Sequence, residues 1–167
     1  SSEIPLIQKK LVAKAKKARI PVIIATQMME SMMDSISPSR AEVNDVANSV
    51  MDGADAVMLS GETSVGEYPI EVIKTMSSII NKVENSDLIS LANKRPKDQK
   101  SKRYITKSIC FSAAKMANEI KAKAISTLTN SGYTAFQISS WRPSTHVLVF
   151  TSNKRILTQL NLLWGVK

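Results

Sequence analysis

Aromatic residues are scarce, 5% of the 167 residues. Stacking platforms for single-stranded nucleic acid are therefore missing, and an aliphatic core of Val, Ile, Ala and the eight Met is expected. Cysteine is nearly absent. Cys110 stands alone, which excludes an internal disulfide and makes a reducing, cytoplasmic setting the expected one. It lies on a helical stretch with no nucleophile partner pattern, so packing is its expected role. His146 is the single histidine; with no second His or Cys nearby, a metal site there is not expected. No apolar run reaches the roughly 18 residues of a membrane span. Ser1 to Ile4 lead straight into a Lys-rich amphipathic stretch, without a secretory signal pattern. A Walker loop and a G-x-G-x-x-G run are also missing.

What is abundant is positive charge, +9 net. Its placement argues against a nucleic-acid or membrane partner. Lys9, Lys10, Lys14, Lys16, Lys17 and Arg19 share one helix-like segment. Lys94, Arg95, Lys97, Lys100, Lys102, Arg103 and Lys107 lie in or beside a polar connector. Almost no aromatic residue is interleaved with them, so a solvated basic surface is expected.

Hydrophobic spacing lays out the elements. Ile7, Leu11, Val12 and Ala15 predict a helix over 5–19. Val22 to Ala25 form a β-branched run opened by Pro21, a buried strand. The Met-rich stretch 28–38 reads as a loop, and Met28, Met29, Met32 and Met33 as adaptable core or interface. Ser39-Arg40-Ala41-Glu42 fits a capping box. Val43, Val46, Ala47, Val50 and Met51 then follow on one helical face, and Gly53 stands where such helices stop. Ala54–Leu59 is the next strand, and 60–67 a loop. Tyr68-Pro69 opens a helix expected to carry Ile70, Ile73, Ile80 and Val83 inward. Residues 87–103 change character, and Asn93 to Lys100 is polar, charged and broken by Pro96, a linker or a surface loop. Beyond them come a helix over 104–121 with Ile105, Ile109, Ala113, Met116, Ala117 and Ile120 inward, a strand 124–128, a helix 132–140, a strand 146–151 and a helix 153–163. Alternating strand and helix predicts parallel sheet with helical crossovers. Two strands in the first half would leave open edges, so a longer parent is expected.

In such folds ligands bind beyond the carboxyl ends of strands. Thr26-Gln27 ends the first strand. Ser60-Gly61-Glu62-Thr63 ends the second, and its hydroxyls, amides and carboxylate suit phosphate binding or proton transfer; hydroxyls that only cap the neighbouring turn are the other reading. Thr129, Asn130, Ser131, Gly132, Tyr133 and Thr134 join a strand to a helix. They offer either an anion site at the helix start or a plain cap.

Pro21-Val22-Ile23-Ile24-Ala25-Thr26-Gln27-Met28-Met29-Glu30-Ser31-Met32, Ser39 to Asn48, and Asp52 to Thr63 followed by Gly66-Glu67-Tyr68-Pro69 resemble the pyruvate kinase family around barrel strands seven and eight. Leu128-Thr129, Ser131-Gly132 and Trp141-Arg142-Pro143 resemble the front of its carboxyl-terminal domain. The resemblance implies the last strands and helices of a TIM (β/α)₈ barrel, normally about 250 residues when whole, followed by part of a smaller α/β domain. It implies barrel over 1–88, a linker over 89–103 and the smaller domain over 104–167. It implies phosphoryl transfer from phosphoenolpyruvate to ADP, giving pyruvate and ATP, with Mg²⁺ and K⁺ as cofactors. The catalytic lysine and the metal ligands lie upstream in the family and are not in this chain, so the fragment alone is expected to be inactive. Thr26 matches a threonine that lines the substrate and helps deliver the proton. Ser60 matches a serine of the same network, and Glu62 a glutamate nearby, placed with the catalytic residues. Arg40 matches a contact between subunits of the family's homotetramer. Thr129–Thr134 resembles the sugar-phosphate effector loop of some members, although Tyr133 stands where a basic residue is common. The competing expectation is a non-catalytic module for oligomerisation or effector binding.

Overall fold

A computed structural model describes residues 3–25, 27–86, 95, 96 and 99–167. The chain divides into two compact units, Ser1–Ile89 and Ser90–Lys167. Most of the polar connector 87–103 lies outside the described residues.

In the first unit, helix α1 (Ile4–Ala18) leads to strand β1 (Ile23–Ile24). Then come a 3₁₀ turn (Glu30–Met33), helix α2 (Arg40–Asp52) and strand β2 (Ala56–Val57). A one-turn helix α3 (Gly61–Ser64) and the long α4 (Pro69–Glu84) complete it. The strands pair in parallel, Ile23 with Ala56 and Ile24 with Val57. Parallel pairing needs a crossover, and α2 supplies it. The start of α2 is set locally: Ser39 and Glu42 form the expected capping box, each satisfying an amide that the first turn leaves free. Gly53 ends the helix at φ 99°, a conformation that costs a side-chain-bearing residue energy.

The core of this unit gathers Val12, Ile24, Met28, Met29, Met32, Val46, Ala54, Val72 and Met76. The Met cluster is thus largely core, with Met29 and Met32 fully buried. Unbranched thioether side chains adapt to the irregular space between a short sheet and its helices.

The inward stripe of α4 differs from the expected one. Val72 and Met76 are buried and Ile79 and Ile80 pack beside them, whereas Ile70 and Ile73 are more than half exposed. On α1 only Val12 is buried, and Leu11 is 60% exposed. The 60–67 segment is also not all loop, since α3 occupies its centre.

The second unit holds α5 (Tyr104–Glu119), β3 (Ala124–Leu128), α6 (Tyr133–Ser140), β4 (His146–Phe150) and α7 (Lys154–Leu160). Strands β3 and β4 run parallel in register from Ala124 with His146 to Leu128 with Phe150. Beyond β4, Val166 bridges to Val147 in parallel. Cys110 packs with Ile138 and Val147, as expected for a structural thiol. Phe111 meets Trp141 edge-on at 4.9 Å between ring centres. Here most of the expected face of α5 turns outward, and of the residues expected inward Ala117 is the buried one. Cys110, Phe111, Ala114 and Ala117 are buried, while Ile105, Ile109, Met116 and Ile120 are exposed. Small residues allow α6 to approach closely, and that approach selects the buried side. His146 is exposed at the start of β4, with Nε2 3.3 Å from Lys167 Nζ.

Candidate functional site

The parallel strands β1 and β2 send their following loops to the same end of the sheet. Met58 N donates to Ile24 O at 2.9 Å, extending the pairing toward Ser60. Ser60 is exposed at the mouth of the second loop. Thr26, in the first, lies outside the described residues. Its neighbour Gln27 is exposed and adopts φ 49°, a left-handed conformation that is uncommon for this residue type and concentrates at functional sites.

Glu62 sits between the two loops. Only 3% of it is exposed. Its Oε1 accepts from Met29 N at 3.2 Å and its Oε2 from Ser60 N at 2.8 Å. Burial pushes its carboxyl pKa up. The amides of Ser60, Glu62 and Met29 outweigh that, and the net shift is downward, although the neighbouring Glu42 charge opposes it. Glu62 is therefore held as a carboxylate that ties one loop to the other.

A second carboxylate braces the same first loop. Glu42 accepts from Ser31 N at 2.7 Å, from the Ser31 hydroxyl, from Ser39 N at 2.7 Å and from Ser39 Oγ at 2.8 Å. Burial raises its pKa, but these four donors lower it further than burial raises it. The 3₁₀ turn is also pinned from behind, where Glu67 N donates to Met33 O at 2.8 Å. Gly66 permits that approach: a Cβ there would lie 2.7 Å from Glu62 O and 3.3 Å from Met33 Cα.

Beside Gln27 opens a cleft of about 330 Å³, lined in part by Gln8, Lys9, Asp45, Asn48 and Asp52. Lys9 pairs with Asp52 at 2.6 Å across its rim. Among the described residues, no group of three or more His, Cys, Asp and Glu side chains is placed to hold a metal ion. Arg40 is exposed at the first turn of α2.

The loop 129–134 forms a separate cluster in the second unit. Thr129 Oγ1 accepts from Gly132 N at 3.0 Å, and Thr127 and Thr134 hydroxyls meet at 3.3 Å. Asn130 O accepts from Asn153 Nδ2 at 3.2 Å. The cap of α6 is Gly132 itself, with no side-chain cap, so the simple capping reading of Thr129, Asn130 and Ser131 does not hold. The Arg103 guanidinium stacks 4.2 Å from the centre of the Tyr133 ring.

Sequence reasoning placed Ser60 and Glu62 at the strand ends but saw Glu42 only as a cap. Its bond to Ser31 reaches back 11 positions, from the first turn of α2 into the 3₁₀ turn, and no local spacing announces such a contact. In the sequence Arg103 carries no signal beyond the charge of the connector, and its place against Tyr133 comes from the fold.

The model of the pyruvate kinase barrel domain matches residues 1–73, and that of the pyruvate kinase alpha/beta domain matches residues 107–167. Pyruvate kinase 2 of Synechocystis is 41% identical over 167 residues, all of this chain and 27% of its own length. Pyruvate kinase of Geobacillus stearothermophilus is 42% identical over 170 residues, 99% of this chain and 28% of its own. The crystal structure of Cryptosporidium parvum pyruvate kinase superimposes with a TM-score of 0.87 at 36% identity, covering 99% of this chain and 34% of that one. A structure of the same enzyme in complex with ADP gives 0.84. The chain thus spans about a third or less of the length of the relatives it matches. Two successive family models, in the order barrel then alpha/beta domain, account for most of its residues, and the chain belongs to the pyruvate kinase family.

Proposed function

We propose that this chain serves as part of a cytoplasmic pyruvate kinase that moves the phosphoryl group of phosphoenolpyruvate to ADP, giving pyruvate and ATP. The observation that carries the reading is the pair of loops at the strand ends, joined by Glu62, in a chain matched by both pyruvate kinase models. The ADP bound by the Cryptosporidium parvum relative fits the nucleotide half of the reaction. The division into barrel (1–88), linker (89–103) and smaller domain (104–167) belongs to the same reading.

Thr26 lines the substrate and helps protonate the enolate left when the phosphoryl group departs. Ser60 belongs to the same hydroxyl network. Glu62 holds both loops by their amides, which suits placing those hydroxyls better than exchanging protons, since its charged form is the stabilised one. Mg²⁺ and K⁺ supply charge stabilisation during transfer, and their ligands come from residues beyond this chain. The isolated 167 residues are therefore inactive. Arg40, exposed at the start of α2, contributes to the contact between barrels of a homotetramer. The 129–134 loop is the place for a sugar-phosphate effector, and Tyr133, already stacked with Arg103, weakens it.

Substituting Thr26→Ala and Ser60→Ala in the complete polypeptide tests the assignment. Each is expected to lower kcat by roughly 10²-fold or more without unfolding the protein. Unchanged kcat in both variants overturns the assigned roles.

A further inference from the structure

The first loop is held by more than its own sequence requires. Met29 and Ser31 lie two residues apart, and their amides point to carboxylates from two different elements, Glu62 in α3 and Glu42 in α2. Both carboxylates are buried, at 3% and 9% exposure. Glu42 makes contacts that helix capping does not need. A capping box requires Ser39 and Glu42 alone, yet Glu42 also takes both donors of Ser31, and Ser39 N in turn donates to Ser31 Oγ at 3.1 Å. Ser31 thereby becomes a hinge pin between the cap of α2 and the segment that carries Gln27 to Met33.

From this arrangement we infer that Glu42 is a positioning residue for the candidate site: it fixes the loop after β1 at Ser31 while Glu62 fixes it at Met29, so the two together hold the segment from Gln27 to Met33 against the Ser60 loop. The inference rests on the proposed enzymatic reading. The two carboxylates divide the work. Glu62 sets the spacing between loops, because its other oxygen takes Ser60 N. Glu42 sets the orientation of the first loop relative to α2, because its remaining contacts are with Ser39. Rigid support from behind is what a group that must be held within a fraction of an ångström requires. A neutral amide at position 42 would place an NH₂ donor against at least one of the donors now facing it, so Glu42→Gln breaks the brace while nearly preserving volume.

The test compares Glu42→Gln with Ser39→Ala in the complete polypeptide. The second variant weakens the cap of α2 but leaves the bond from Ser31 N to Glu42 in place. Hydrogen exchange of the 27–34 segment is read against α4, and kcat and KM for phosphoenolpyruvate are measured with both. Glu42→Gln is expected to speed exchange in 27–34 by about tenfold relative to α4 and to lower kcat by about tenfold, with KM changed less. Ser39→Ala is expected to lower stability without either effect. Should Glu42→Gln fail to fold, Glu42→Asp, which keeps the charge and withdraws it by one methylene, takes its place with the same expectation. Unaltered exchange in 27–34, or equal kcat in the position-42 and position-39 variants, overturns the inference. An unsubstituted polypeptide without turnover defeats the enzymatic reading instead, and the brace then stands or falls on the exchange result.

Discussion

The carboxylate of Glu62 binds the backbone amide of Met29, 33 residues earlier in the chain, at 3.2 Å, and that bond joins the two loops at the end of the parallel sheet. Its second oxygen holds Ser60 N. Removing the carboxylate by Glu62→Ala strands two amides in a closed environment, each costing about 1–3 kcal/mol when left unsatisfied. Chemical denaturation should show a loss of at least that order, and Glu62→Gln should lose less, because one carbonyl oxygen remains as acceptor.

Acid should loosen the same region before it unfolds the rest. Glu42 and Glu62 both have carboxyl pKa values shifted down in the folded state by the donors around them, against the opposing effect of burial. A depressed folded value adds stability that is fully present above the unfolded value, about 4.3, and that is lost as pH falls through the folded value. Stability should therefore be flat from neutral pH down to about 5 and decline below about 4.3. A Glu42→Gln, Glu62→Gln double variant should show a shallower acid decline, measured as denaturation midpoint against pH.

Gly66→Ala tests the close approach behind the loop. The new Cβ would lie 2.7 Å from Glu62 O, a backbone atom that has no flexible end to move aside. A cost of roughly 1–3 kcal/mol follows from forcing the chains apart. A variant as stable as the parent would mean the 3₁₀ turn is more yielding than its bond from Glu67 N to Met33 O implies.

In the second unit, Phe111→Ala removes the edge-on partner of Trp141. Large-to-small substitution of a buried aromatic costs about 3–5 kcal/mol. Tryptophan fluorescence during denaturation should report an earlier transition, with the Trp141 environment altered.

These elements also show what the sequence could and could not disclose. Helix α2 was legible because its signals are local: Ser39 and Glu42 three apart, Val46 and Val50 four apart, Gly53 at the end. The buried faces of α4 and α5 were not. The apolar arc of each helix is broad, and periodicity alone does not say which part of it the neighbours cover. On α5 Ile105, Ile109, Met116 and Ile120 are exposed, whereas Cys110, Phe111, Ala114 and Ala117 are buried, with Phe111 and Ala114 packed against Trp141 at the end of α6. The parallel pairing followed from the order of elements. The bracing by Glu42 and Glu62 depends on contacts between segments distant in sequence, which form only in the folded chain.

The most direct test is a coupled assay for pyruvate formation from phosphoenolpyruvate and ADP with Mg²⁺ and K⁺, run on the complete polypeptide from its source cells and on the 167-residue chain alone. Turnover by the first and none by the second is the predicted result. Appreciable pyruvate from the 167 residues by themselves, or none from the complete polypeptide, would contradict the account.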